Sequence, residues 1–319
     1  MNPKICVTSI SFSANKHLTD ELRKLFPDVT LNVRGEKLEG KSLVNFLENA
    51  DGAIVGLEKI DPSVMDALPK LKIISKYGVG LDNIDVPYAK SKGVRIGWEG
   101  GVNRRSVSEL ALAFMLGLAR NVFFSGIPLK QGKWQKHGGF QLSDAVVGII
   151  GCGFIGEDLL RLLQPFHCKI LINDILDKSV EAKCYGASQV SRETLLAESD
   201  IVSIHVPLTD ETRKFFGKDT LALMKPSAFL INTSRGGVVD QSALKEALQA
   251  GAGLASSTSL PGIAGAAIDV FEEEPPSDLE FLSLPNLMVT PHIGGNAKEA
   301  IQAMGMAAIK HLKNHYSSG

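Results

Sequence analysis

The sequence predicts an α/β protein made of two doubly wound parallel-sheet domains with a cleft between them. Three observations carry that prediction. Short apolar runs alternate with amphipathic stretches through the first hundred residues. A second alternating series begins at Ala145. One long apolar helical pattern separates the two. Strands joined through helices pair in parallel, and a parallel sheet covered on both faces needs strands that are apolar throughout.

In the first series "KICVTSI", "VTLNV", "DGAIVGL", "LKIISKYG" and "VRIGW" read as strands. Between them, "LTDELRKLF", "KSLVNFLENA", "PSVMDALPK" and "DVPYAKSKG" read as helices, with Thr19 or Asp20 near the first helix start and a glycine closing the last. "NRRSVSELALAFMLGLARNV" is too long and too apolar for a surface helix and reads as a core helix on the hinge side. In the second series "AVVGIIG", "KILIND", "IVSIHV", "AFLINT" and "IAGAAIDV" are strands, and "LMVT" is the last apolar strand. The final helix, "KEAIQAMGMAAIKHLKNH", has no strand after it and is expected to pack back on the first domain. The expected division is therefore residues 1–99 with 288–319, a discontinuous substrate-binding domain, and residues 100–287, a nucleotide-binding domain.

Composition narrows the function classes. The chain has 319 residues, 44% hydrophobic and 22% charged, with a net charge of -1. Such a balance gives no global basic field to hold nucleic acid or an anionic membrane. No apolar run reaches the roughly 18 residues that span a bilayer, and the N-terminus lacks a signal-peptide pattern. Cys6, Cys152, Cys168 and Cys184 show neither CxxC nor metal-ligand spacing, so no metal is expected and reduced thiols in a cytoplasmic protein are the simplest reading. The terminal "SSG" is assigned no role.

Within "VVGIIGCGFIG", Gly151, Gly153 and Gly156 form GxGxxG. The motif follows an apolar strand, opens a helix, and is followed eighteen residues past Gly156 by Asp174 at the end of the next strand. That is the context of a Rossmann dinucleotide fingerprint. Gly151 permits the tight turn, Gly153 lets the backbone approach a pyrophosphate, and Gly156 lets helix and strand pack closely. The N–H groups of Phe154 and Ile155 then face the phosphates at a helix N-terminus. Asp174 accepts the ribose hydroxyls and repels a 2′-phosphate. Ile175 and Leu176 offer no arginine to hold one, so NAD is expected. Asp177 is a weaker rival for the ribose.

Ligands of a doubly wound sheet bind beyond the carboxyl ends of its strands. Those ends carry His205-Val206-Pro207, then Asn232-Thr233-Ser234-Arg235-Gly236-Gly237, then Asp269 through Pro275, and Pro291-His292-Ile293-Gly294-Gly295. Glycines beside Arg235 leave its guanidinium fork free for a planar carboxylate. A glutamate bonded to His292 stabilises its protonated form and fixes its tautomer, which suits a proton donor or acceptor. Glu272, Glu273 and Glu274 are equivalent candidates on this reading. Gly294 and Gly295 leave room for a nicotinamide ring.

Taken in order, "KYGVGLDNID", "GGVNRRSVSELALAFML", "GIIGCGFIG", "HVPLTDET", "INTSRGGVVD", "AAIDVFEEEP" and "TPHIGG" resemble the D-isomer-specific 2-hydroxyacid dehydrogenases over nearly the whole chain. Within that family the chain looks closest to the D-3-phosphoglycerate dehydrogenases, without a C-terminal regulatory domain. The resemblance implies a flavodoxin-like first domain and a catalytic triad of Arg235, Glu274 and His292, which selects the glutamate before the proline. It implies that the Val79 and Gly80 amides hold the substrate carboxylate. Ser106, Val206, Pro207, Thr212, Thr233, Ser234, Arg235 and Asp269 are implied to line the cofactor, with Asp269 on the nicotinamide amide. It also implies a homodimer built on the long helix and the "QGKWQ" arm with Trp134. Lys76, with Arg104 and Arg105, is expected to meet a phosphate on the far end of a phosphoglycerate-type substrate. Glyoxylate, hydroxypyruvate or another small 2-keto acid is the alternative, and an NADH-sensing corepressor or scaffold is the alternative of another class.

The chain departs from the family pattern at "AGLASSTSLPG", residues 252–262, a small and Ser-rich stretch between a helix and a strand. It reads as a surface insertion at the amino ends of the strands.

Overall fold

A computed structural model of the chain describes residues 2–136, 138–254 and 261–317. It falls into two compact units, Met1–Asn103 with Gly295–Gly319, and Arg104–Gly294. The expected boundaries at 99/100 and 287/288 are corrected on both sides. The first lies where the long helix starts. The second lies beyond the last strand, because that strand pairs inside the second unit.

In the first unit β1 (Ile5–Val7), β2 (Val29–Leu31), β3 (Gly52–Val55), β4 (Ile73–Lys76) and β5 (Arg95–Gly97) form one parallel sheet in the order β2-β1-β3-β4-β5. β1, β3 and β4 are buried along their whole length, as a sheet covered on both faces requires. Side chains alternate between the faces. Cys6, Ala53 and Ile74 meet one apolar cluster, while Ile5, Val7, Ile54 and Ile73 meet another. The second cluster is completed by Met304, Ala308, Ile309 and Leu312 of the closing helix, Lys298–Ser317. Each large apolar side chain buried there contributes about 2 kcal/mol. The Ser75 hydroxyl also donates to the Ala308 carbonyl at 2.8 Å. The chain's end therefore belongs to the domain that begins it.

The second unit holds β6 (Val146–Ile150), β7 (Lys169–Asn173), β8 (Ala187–Gln189), β9 (Ile201–Ile204), β10 (Phe229–Asn232), β11 (Gly265–Ile268) and β12 (Leu287–Val289). They form one parallel sheet in the order β12-β11-β10-β9-β6-β7-β8. The short β8, "ASQ", is the strand that apolar patterning does not reveal. The order reverses between β9 and β6, the switch point at which such sheets bind ligands. The same alternation recurs: Ile149, Ile172, Ile201 and Ile231 lie on one face, Ile150, Leu171, Val202 and Leu230 on the other.

The long helical pattern, residues 103–122, folds as one helix, Arg104–Ala119. It is followed by Val122–Lys130 at a 64° bend, where Asn121 takes φ 51°. Asparagine tolerates that left-handed backbone better than most residues. Residues 255–260 of the insertion lie outside those described. Its stem is visible: the helix Gln241–Gly251 ends, and the chain re-enters the fold where Ile263 N–H donates to Ala247 O at 3.2 Å.

Candidate active site

The glycine loop has the shape a pyrophosphate needs. Gly151 takes φ 89°. No heavy atom outside the immediate chain lies within 4 Å of where a Cβ on Gly153 would stand, whereas one on Gly156 would strike the Gly151 carbonyl. The helix Phe154–Leu163 begins immediately after. Asp174 is half-buried and ties this loop to the end of β7: its Oδ2 accepts Cys152 N–H at 2.7 Å and its Oδ1 accepts Leu176 N–H at 2.9 Å. Each oxygen keeps a lone pair for a ribose hydroxyl. Ile175 and Leu176 are exposed. Asp177 instead accepts Ser179 N–H at 3.0 Å. Burial, with the Asp174 charge behind it, pushes the Cys152 thiol up to about 11, so it is a packed thiol and not a nucleophile.

Beyond β9 and β10 two buried polar atoms lack a protein partner. The Ser203 hydroxyl meets His205 Nε2 at 2.9 Å, but His205 Nδ1 and Thr233 Oγ1 have no hydrogen bond. Ile204 and Asn232 are register partners, so these two residues extend neighbouring strands. Burial pushes the His205 imidazole down to about 4, and it is neutral at pH 7. Buried polar atoms are seldom left unpaired. Such a pair beside the switch point, together with the open glycine cradle, fits a nicotinamide dinucleotide. Val206 is half-buried and Pro207 exposed on the following loop. That loop is shaped by Thr212, whose hydroxyl donates to Pro207 O at 2.6 Å and accepts Thr209 N–H at 2.8 Å.

Arg235 follows β10 in extended backbone. Asn232, almost fully buried, braces the turn: its Oδ1 accepts the Ser234 N–H and hydroxyl, and its Nδ2 donates to Arg235 O at 3.0 Å. Arg235 Nη1 donates to Ser234 O at 2.7 Å. A Cβ on Gly236 would collide with the Phe271–Glu272 backbone. The bare glycine thus lets the segment after β11 approach the arginine.

On that segment Phe271 N–H donates to Glu274 Oε1 at 3.1 Å, and Glu274 Oε2 lies 2.7 Å from His292 Nδ1. Burial raises the Glu274 carboxyl. The His292 hydrogen bond and charge, Phe271 N–H and the Arg235 charge outweigh it and hold the group below the usual carboxylate range. The two side chains of the pair are each 33% exposed, enough for a small ligand to reach the imidazole. Arg235, Glu274 and His292 are therefore brought together. Glu272 is turned away, accepting Gln241 N–H at 3.1 Å.

His292 takes φ 53°, and Asp269 supports that backbone. Its carbonyl accepts His292 N–H at 2.8 Å. Its buried carboxylate accepts the Thr290 hydroxyl, Ile293 N–H and Gly294 N–H at 2.5, 2.7 and 2.7 Å. Ser106, in the first turn of the long helix, donates its hydroxyl to Gly294 O at 2.5 Å. Gly295 begins the return to the first unit.

Lys76 is buried, and its ammonium donates to Gly56 O at 2.5 Å and Asn83 Oδ1 at 2.7 Å. It braces the loop carrying the half-buried Val79 and Gly80, which corrects its placement as a direct substrate contact. Arg105 Nη2 pairs with the buried Asp158 at 2.9 Å, and the Ser108 hydroxyl donates to the same carboxylate at 2.5 Å. Arg104 is exposed. Sequence reading missed Asn83 and Trp98, which also fasten that loop, and gave His205 no role. Among the described residues no group of three His, Cys, Asp or Glu could hold a metal ion.

Comparison with known proteins agrees with this geometry. Residues 112–294 match the family model "D-isomer specific 2-hydroxyacid dehydrogenase, NAD binding domain". A hydroxypyruvate reductase of Thermotoga maritima is 34% identical over 93% of this chain and 96% of its own. A D-3-phosphoglycerate dehydrogenase of Archaeoglobus fulgidus is 37% identical over 80% of this chain, which spans 47% of that protein. The crystal structure of D-lactate dehydrogenase from Aquifex aeolicus, complexed with NAD and lactic acid, superposes with a TM-score of 0.82 at 25% identity, covering 98% of this chain and 95% of that one. With a nucleotide cradle, a braced Arg–Glu–His triad and these relatives, the chain belongs to the D-isomer-specific 2-hydroxyacid dehydrogenase family and is an NAD-dependent oxidoreductase.

Proposed function

We propose that the protein reduces a small 2-keto acid, of the hydroxypyruvate or glyoxylate kind, to the D-2-hydroxy acid. The observation that carries this reading is the 2.7 Å contact between Glu274 Oε2 and His292 Nδ1. It engages one ring nitrogen and leaves Nε2 for the substrate. In reduction His292 gives its Nε2 proton to the C2 oxygen, and in oxidation it takes that proton back. NADH, when bound, supplies the hydride that C2 receives. The Arg235 fork binds the carboxylate and polarises the C2 oxygen. The family resemblance also assigns substrate recognition to the Val79 and Gly80 amides of the first unit.

An unphosphorylated substrate is supported by the engagement of Lys76 and Arg105 in bracing contacts. The test is NADH and NADPH oxidation with glyoxylate, hydroxypyruvate and 3-phosphohydroxypyruvate. The highest kcat/KM is expected for an unphosphorylated acid with NADH. A preference for the phosphorylated acid restores the phosphoglycerate reading, and no turnover with any favours an NADH-sensing scaffold.

We also propose a homodimer in the cytoplasm. The helix Val122–Lys130 is apolar yet buries none of its residues, and Val122, Ile127, Leu129 and Trp134 are exposed. A second copy of the chain would cover them. The unpaired Cys6, Cys152, Cys168 and Cys184 support a reducing compartment. Sedimentation at micromolar concentration tests the dimer, and a monomer removes it.

A further inference from the structure

The loop after β4 is fastened at two points within the first unit. At one, Lys76 donates to Gly56 O and Asn83 Oδ1, and Asn83 Nδ2 donates in turn to Glu58 O at 2.6 Å and Gly56 O at 3.2 Å. At the other, Trp98, the first residue after β5, donates its indole Nε1–H to Val79 O at 2.8 Å. The Lys76 network holds the base of the loop. The tryptophan acts on a single peptide group, the one that carries the Gly80 amide.

A trans peptide is planar, with C=O and N–H pointing in opposite directions. The Val79 carbonyl and the Gly80 N–H are the two ends of one such plane. Fastening the carbonyl therefore sets the direction of the amide. It also polarises the group and strengthens its N–H as a donor. The restraint matters here because Gly78, at φ 136°, and Gly80 give the loop little steric resistance to rotation. Packing does not explain the tryptophan's position, since Trp98 is 42% exposed. A phenylalanine would cover the same surface without the N–H.

We propose that Trp98 is a positioning residue for substrate recognition: its indole N–H orients the Gly80 amide toward the carboxylate of a 2-keto acid. The proposal rests on the function proposed above, which assigns that amide to the substrate.

Trp98→Phe keeps the ring and removes the donor. The KM for the preferred keto acid is expected to rise about tenfold, the weight of one hydrogen bond to a charged group, with kcat held within about twofold. The NADH dissociation constant and the melting temperature stay unchanged. An unchanged KM overturns the proposal and leaves the reductase standing. A parallel fall in kcat, NADH binding and melting temperature also overturns it, by showing a structural role only. A second measurement does not depend on that variant folding. In Trp134→Phe, Trp98 is the sole indole, and titration with oxalate should change its emission saturably. A flat titration contradicts the proposal. If the unaltered protein reduces no 2-keto acid, the function itself fails and the proposal falls with it.

Discussion

Asp269 carries the backbone of His292: its carbonyl accepts the histidine N–H at 2.8 Å while its carboxylate accepts the next two amides, both at 2.7 Å. The His292 imidazole thus stands on a left-handed residue, φ 53°, that the surrounding hydrogen bonds over-determine. Non-glycine residues in that region are strained by roughly 1 kcal/mol or more.

Replacing His292 by asparagine, which tolerates the left-handed region, should relieve part of that strain. His292→Asn is expected to melt at or slightly above the parent temperature despite losing the Glu274 contact. Thermal unfolding followed by circular dichroism checks this. A drop of several degrees would show that the Glu274 pair contributes more than the strain costs.

Asp269→Asn tests the support from the other side. The asparagine amide would place an N–H against a backbone N–H of Ile293 or Gly294. About 2 kcal/mol of stability is expected to go, the penalty of leaving a buried donor unpaired. Turnover should fall with it, measured by urea unfolding and initial rates.

Glu274 gives a pH prediction. Its folded carboxyl lies below the ordinary value of 4.5, so the unfolded chain binds the proton first on acidification. The stability it contributes is fully present above about pH 4.5 and is lost as pH falls through the folded value. Glu274→Gln should therefore be less stable than the parent at pH 7, with the gap closing at acidic pH. A gap independent of pH in urea titrations would assign the effect to packing instead of charge.

His205 has the opposite chemistry. It is held neutral to about pH 4 by burial, whereas an unfolded imidazole protonates near 6.5. Between those values the unfolded state binds more protons, so stability rises with pH across that window and levels off above it. The full span amounts to about 3 kcal/mol. His205→Gln should flatten that slope in unfolding curves recorded at pH 4.5 and 7.

Much of this was legible in the sequence. The strands are short apolar runs, so both parallel sheets follow from alternation, and the fingerprint context located the cradle and Asp174. Strand-end logic found Arg235 and His292. The choice of Glu274 over Glu272 and Glu273 needed either the family pattern or the observed contacts. What stayed hidden is pairing across distance. Arg105 and Asp158 are 53 residues apart, and nothing in their local sequence says that the arginine is engaged. Trp98 reached Val79 only once β5 was laid beside β4. The helix Val122–Lys130 and the strand β8 were missed because a nine-residue helix with a proline inside it and a three-residue polar strand leave no clear periodic signal.

The most direct test is single-turnover oxidation of NADH on mixing NADH-loaded protein with hydroxypyruvate or glyoxylate, parent beside His292→Asn. A transient is expected in the parent and a rate lower by about a hundredfold or more in the variant, with NADH affinity unchanged. Equal rates would contradict His292 as the proton donor, and with it the central reading of the site.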